Sequence, residues 1–269
     1  MPESAAPAIY KRSCMDTLLS IGRPLYALAI VALGVETLIV SHTVSHALGE
    51  QYNVLPVLPW LPAIPALAWI FSIVWTALAI GLFIPRALRP AGLALGALLL
   101  LCAIFLVLPK YLPVPASISM RTVVFETISL AAFAFLIAPA IPVWLAHLSR
   151  WLLAVSLIVF GWDHFPALVF IANLLPHWIP WHMFWVAFFG AAMIAAGIAI
   201  GTGILRYWGA ALIGLMFALY VLTLHLPRVA GWYGIPNAPH NPDEWSSFFI
   251  ALAFWGGCWA VAERAARTA

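Results

Sequence analysis

A chain of 269 residues that is 65% hydrophobic and 8% charged is not built for water, since a soluble domain carries about 25% charged residues. Its net charge of +3 at pH 7 reflects where the basic residues fall along a membrane topology, so no nucleic-acid partner is implied. Cys14, Cys102 and Cys258 are far apart and form no C-x-x-C, which argues against a disulfide framework or a thiol-redox motif.

Residues 1–22 are polar, carry Lys11 and Arg12, and lack the apolar core and cleavage site of a secretory signal; they are expected to form a cytoplasmic tail. Apolar runs of roughly 18 or more residues cross the hydrocarbon core as helices. About eight follow, at 24–46, 64–84, 91–108, 122–140, 151–171, 183–202, 207–225 and 245–263. The fold class is therefore an all-α integral membrane protein in a lipid bilayer. With the N-terminus inside, Lys11, Arg12, Arg23, Arg86, Arg89, Arg150, Arg206, Arg264 and Arg267 are cytoplasmic, and only Lys110, Arg121 and Arg228 lie outside. That bias follows the positive-inside rule and places both termini in the cytoplasm. Trp60, Trp144, Trp178, Trp181, Trp208 and Trp232 fall near predicted helix ends, where an amphipathic ring suits the headgroup layer.

The chain reads as one unit written twice. Gly34-Val35-Glu36 recurs as Gly161-Trp162-Asp163, preceded at equal distance by Arg23 and Arg150. Trp60-Leu61-Pro62 returns as Trp178-Ile179-Pro180, Leu108-Pro109-Lys110 as Leu226-Pro227-Arg228, and Glu126 as Glu244. The predicted organisation is a tail (1–22), a four-helix repeat (23–140), a linker (141–149), a second four-helix repeat (150–264) and a C-terminal tail (265–269). Four helices per unit start and end on the same side, so the repeats are parallel, related by a pseudo-two-fold axis along the membrane normal. The outer segments 47–63, 109–121, 172–182 and 226–244 are rich in Pro, Trp and His and are expected to fold back as a lid. Within them, 54–62 and 175–182 read as interfacial turns or half-helices.

Glu36 falls midway along the first predicted helix, with Asp163 as its counterpart in the fifth. A carboxylate at a helix centre costs roughly 2.5–3.5 kcal/mol to insert, so each is expected to face the interior. Either they bind a ligand or proton, or they fix packing through an interhelical hydrogen bond. Asp163 and His164 point about 100° apart, so each needs a partner from another helix. Pro166 is expected to kink the fifth helix beside them. Glu126 has a claim to the cavity, whereas Asn241-Pro242-Asp243-Glu244 reads as a helix cap. Lys110, Arg121 and Arg228 are candidate ion-pair partners at the outer rim, with Glu244. His42 and His46, one turn apart, and His225 are further cavity candidates. Their spacing would suit a metal or haem, but hydrogen bonding or proton relay is the ordinary role of a membrane histidine, and no metal site is assigned.

The second half, through Arg150-Trp151-Leu152, Gly161-Trp162-Asp163-His164-Phe165, Leu175-Pro176-His177-Trp178-Ile179-Pro180 and Leu224-His225-Leu226-Pro227, resembles the DoxX-like membrane proteins, and the first half does so more faintly. That family has a four-helix unit, and this chain would be a fused pair. The resemblance implies a bacterial inner-membrane protein associated with redox partner subunits and quinone-linked chemistry; it carries over no catalytic residue. The expected function is a membrane subunit of a redox or quinone-linked complex, with a polar cavity on the extracytoplasmic side and quinone ahead of haem as ligand. The alternatives are a small-solute or proton-coupled transporter, built on facing acids, and a non-catalytic assembly factor. A homo-oligomer is compatible with all three.

Overall fold

The computed structural model describes residues 14–44, 65–235 and 237–267. Its principal elements are α1 (Gly22–Val44), α2 (Pro65–Gly81), α3 (Leu88–Cys102), α4 (Ile118–Ile137), α5 (Val143–Asp163), α6 (His182–Thr202), α7 (Arg206–Tyr220) and α8 (Pro242–Ala266). Seven of them, all but α2, are long and apolar enough to cross a membrane once the turns that extend them are included. α2 is equally apolar but has 17 residues. The described residues form helices and turns, with no strand.

Each helix packs on the next, α8 returns to α1, and α4 meets α8 across the middle. Burial follows this ring. In α4 and α8 56% of the membrane window is buried, against 33% in the peripheral α6. Phe133 of α4 meets Phe254 of α8 edge-on at 5.3 Å, and Tyr26 of α1 donates to the Leu130 carbonyl at 2.7 Å. Helix association in lipid relies on close packing more than on the hydrophobic effect. A Cβ on Gly161 would strike the Gly190 carbonyl oxygen of α6, and one on Gly34 would strike the Thr76 hydroxyl of α2. The two crossings therefore depend on the absence of a side chain.

α3 and α7 share a further feature. Each runs into a π-helical turn, Ala103–Val107 and Val221–His225, and then into a short helix, Leu108–Tyr111 and Leu226–Val229. The Leu108 and Leu226 amides reach back five residues, to the Ala103 and Val221 carbonyls. Pro109 and Pro227 follow directly. A proline ring collides with the carbonyl four residues earlier in a regular α-helix, and a widened turn moves that carbonyl aside.

Two sequence-based expectations need correction. The fifth span, placed at 151–171, runs from 143 to 163, so most of the segment read as a linker is helix. Pro142, extended at ψ 145°, precedes the first turn, and Arg150 lies inside the helix, where a long guanidinium stem can extend toward the headgroups. Pro166 does not kink this helix but follows its end. Pro166 has no N–H to give the Trp162 carbonyl, and the Phe165 amide takes that carbonyl in a tight turn at 3.1 Å. The outer segments differ among themselves. Residues 173–181 are turns, not a half-helix, while 230–235 fold back on the bundle through Tyr233, which donates to the Thr223 carbonyl at 2.5 Å. Segment 47–63, including 54–62, lies outside the described residues.

Candidate functional site

The Gly-x-acid spacing at 34–36 and at 161–163 places each acid by helix geometry. Two residues along an α-helix turn the side chain through about 200°. Gly161 faces α6, so Asp163 faces the other neighbour, α4. Gly34 faces α2, so Glu36 faces α8. Each acid is answered from a different helix, and by a different group.

Asp163, the last residue of α5, receives a two-pronged grip from Arg121 at the start of α4. Arg121 Nε lies 3.0 Å from both carboxylate oxygens, and Nη2 donates to Oδ1 as well. The side chains are 20% and 6% exposed, so the pair is largely removed from solvent. Arg121 Nη1 also reaches the Pro115 carbonyl at 3.4 Å, tying the α3–α4 turn to the same point. His164 was expected to seek another helix. Its Nδ1 instead meets its own Phe160 carbonyl at 2.7 Å, closing the last turn of α5. Both residues are thereby occupied structurally.

Arg228 and Glu244 form a second fork, with Nε to Oε2 at 2.7 Å and Nη2 to Oε1. This joins the α7 extension to the first turn of α8. Asn241 caps that turn by accepting from the Asp243 amide at 3.0 Å. His225 lies within electrostatic reach of the pair, and its buried Nδ1 has no hydrogen-bond partner among the described residues. Lys110 occupies the matching extension of α3, and Glu126 the third turn of α4, where it forms no hydrogen bond or ion pair among the described residues. His42 lies in the last turns of α1, with its side chain outside the described set, and His46 lies outside it altogether.

Glu36 differs from its counterpart. Among the described residues no arginine pairs with it. Oε1 accepts from Ser246 Oγ of α8 at 3.1 Å, while the buried Oε2 has no partner among the described residues. The residue is 8% exposed and closes one side of a groove of about 460 Å³ between α1 and α8. Leu28, Val31, Val35 and Ile39 form one wall; Pro239, His240, Trp245 and Phe249 form the other. Leu28, Val35 and Ile39 are exposed on a membrane-spanning helix, so among the described residues the groove opens sideways, where acyl chains would lie. Trp245 is held by its indole N–H, which donates to the Pro239 carbonyl at 2.9 Å, and it packs on Phe249 at 5.8 Å. The groove is thus mostly apolar and aromatic, with Glu36 and His240 as its polar lining among the described residues. Ser246, Trp245 and Phe249 were not read as site residues. The spacing of Trp245 and Phe249 by one turn, with Ser246 just past the cap, was the available signal.

No family model, curated protein or solved structure matches the chain. The multi-pass membrane architecture therefore rests on the apolar helices themselves.

Proposed function

We propose that this is a membrane subunit that binds an amphiphile of the quinone class in the α1–α8 groove, with Glu36 meeting its polar head, as part of a redox or quinone-linked complex. The observation that carries the reading is that Glu36, whose buried Oε2 has no hydrogen-bond partner among the described residues, lines a mostly apolar, laterally open groove. A ligand with an apolar body and a hydroxyl head would donate to that oxygen, and a carbonyl head would accept from it when Glu36 is protonated; either completes hydrogen bonding left open among the described residues, and an unmade buried bond is costly. The resemblance to DoxX-like proteins points the same way, and the proposal places the chain in a bacterial inner membrane with both termini in the cytoplasm. Asp163, held by Arg121, is poorly placed to serve as the second equivalent acid that a transporter built on facing acids would use.

The proposal includes the duplication. The neighbour relations of α1–α4 map onto those of α5–α8: first helix on second, third on fourth, and fourth on the first helix of the other half. The paired π-helical turns support it too. In this reading the two acids arose as equivalents and diverged, one into a structural ion pair and one into a ligand site.

The test uses purified protein titrated with a short-chain quinone, read by tryptophan fluorescence quenching, with Trp245→Phe identifying the reporter. Glu36→Gln should weaken binding by about tenfold to a hundredfold, one buried hydrogen bond to a charged or strongly polar group. Binding unchanged in both Glu36→Gln and Glu36→Leu would remove the groove from the argument. Lipid extraction and an absorption spectrum complete the test: co-purified quinone supports the reading, and a Soret band would redirect it to haem.

A further inference from the structure

The α1–α8 groove is lined by a second polar side chain besides Glu36, and the backbone sets the spacing between the two. α1 and α8 run antiparallel: Gly22 packs on Gly256 and Ala260 at one end, and Glu36 meets Ser246 toward the other. His240 lines the same groove from the short turn Ala238–His240 that leads into α8. Ser246 lies four residues beyond Pro242, the first residue of α8, or about 6 Å along its axis. Glu36 therefore lies deeper than His240 by about one helical turn. In the other direction α1 continues from Glu36 to Leu28, about 12 Å of apolar wall through Ala32 and Val31.

The turn that carries His240 is fixed on two sides. The Trp245 indole donates to the carbonyl of Pro239, the preceding residue, at 2.9 Å. The His240 amide donates to the Asn237 carbonyl at 2.9 Å, and Asn237 takes the left-handed backbone, φ 60°, that starts the turn. The His240 imidazole is exposed and forms no hydrogen bond or ion pair among the described residues. Between His240 and Ser246 in the chain, Trp245 gives the groove an aromatic wall. An aliphatic alcohol or acid offers one polar end and would engage one of the two polar groups. A ring with oxygens on opposite sides offers two, with a flat apolar face between them.

We propose that His240 is the second contact of the quinone head: Glu36 meets one ring oxygen and His240 the other, across the face of Trp245. This rests on the groove being the quinone site proposed above, and it adds the feature that selects a para-quinone ring over an amphiphile with a single polar end. A neutral imidazole has one nitrogen that donates and one that accepts, so His240 can meet a carbonyl or a hydroxyl. Aromatic side chains favour a flat ring packed against them. The tail then runs along the Leu28 side, toward the middle of the span.

The experiment titrates the purified full chain in detergent with two probes, followed by calorimetry: a decyl-substituted para-benzoquinone, and para-decylphenol, which keeps ring and tail but has one oxygen. His240→Ala should weaken the benzoquinone by about fivefold to tenfold, the loss of one neutral hydrogen bond, and leave the phenol within about twofold. His240→Gln, which keeps a donor and an acceptor, should recover most of that loss. The ratio between probes within one variant does not depend on how much of the sample is folded. If Glu36→Gln weakens the benzoquinone and His240→Ala does not, the groove stands as the quinone site and the two-point contact is overturned. Equal losses for both probes in His240→Ala would overturn it as well, since His240 would then be shaping the wall. If the benzoquinone does not bind the unaltered chain at all, the reading of the groove itself fails.

Discussion

Removing Arg121 tests the assignment of Asp163 as a structural group. The Asp163 side chain is 6% exposed and accepts three contacts from one guanidinium, itself 20% exposed. Arg121→Leu leaves a buried carboxylate with no countercharge, and breaking such a pair from one side costs about 3–5 kcal/mol. At about 1.4 kcal/mol per factor of ten, the folded fraction relative to unfolded falls by roughly two to nearly four powers of ten. Asp163→Leu, which strands the guanidinium instead, should cost somewhat less, because the more exposed arginine can move toward the rim. Replacing both residues with leucine should recover most of the loss, since well-packed apolar side chains are often as stable as the ion pair they replace. The assay is unfolding in mixed micelles by titrated dodecyl sulfate, followed by circular dichroism, on wild type, both single variants and the double variant. The coupling energy of the cycle isolates the pair. If each single variant costs less than about 0.5 kcal/mol, the value for an exposed pair, the description of this contact as a buried lock is wrong.

The remaining predictions use the same unfolding assay. Glu36→Leu should leave stability within about 1 kcal/mol of wild type, because losing the unsatisfied buried Oε2 offsets losing the hydrogen bond from Ser246, while abolishing the proposed quinone binding; a variant that lost stability without losing binding would contradict both statements. Gly161→Val should cost about 1–3 kcal/mol by forcing apart the α5–α6 crossing, and a neutral result would show that the helices can yield there. Asn241→Ala should cost about 1 kcal/mol as a lost cap on α8. Leu205 holds a left-handed backbone at φ 57° in the α6–α7 turn, so Leu205→Gly should stabilise by up to about 1 kcal/mol, and any destabilisation would count against strain at that residue.

Much of the architecture was legible because a bilayer makes few demands and makes them locally. Apolar runs of bilayer length identify spanning helices without knowledge of the fold, and α6, expected at 183–202, runs from His182 to Thr202. The fifth helix was misplaced because 141–149, which holds Pro142 and ends just before Arg150, was read as a linker. Pro142 does begin that helix, but Arg150 lies inside it, since a long side chain can carry its charge to the headgroups from within a span. The acids were found from their repetition and from the cost of burying them. Arg121 was read as an ion-pair candidate, but neither its pairing with Asp163, 42 residues away, nor that of Ser246 with Glu36, 210 residues away, was legible, because whole helices separate them.

By itself the sequence determined that the chain lies in a membrane, that its spans are helical, and that two carboxylates inside them need shelter. These are properties of single segments against a uniform solvent. Which acid would be neutralised depended on the tertiary structure, because α4 brings an arginine to Asp163 while α8 brings only a serine hydroxyl to Glu36. Charge and burial are set by the nearest neighbours in space, and in a closed ring of helices those neighbours come from distant parts of the chain.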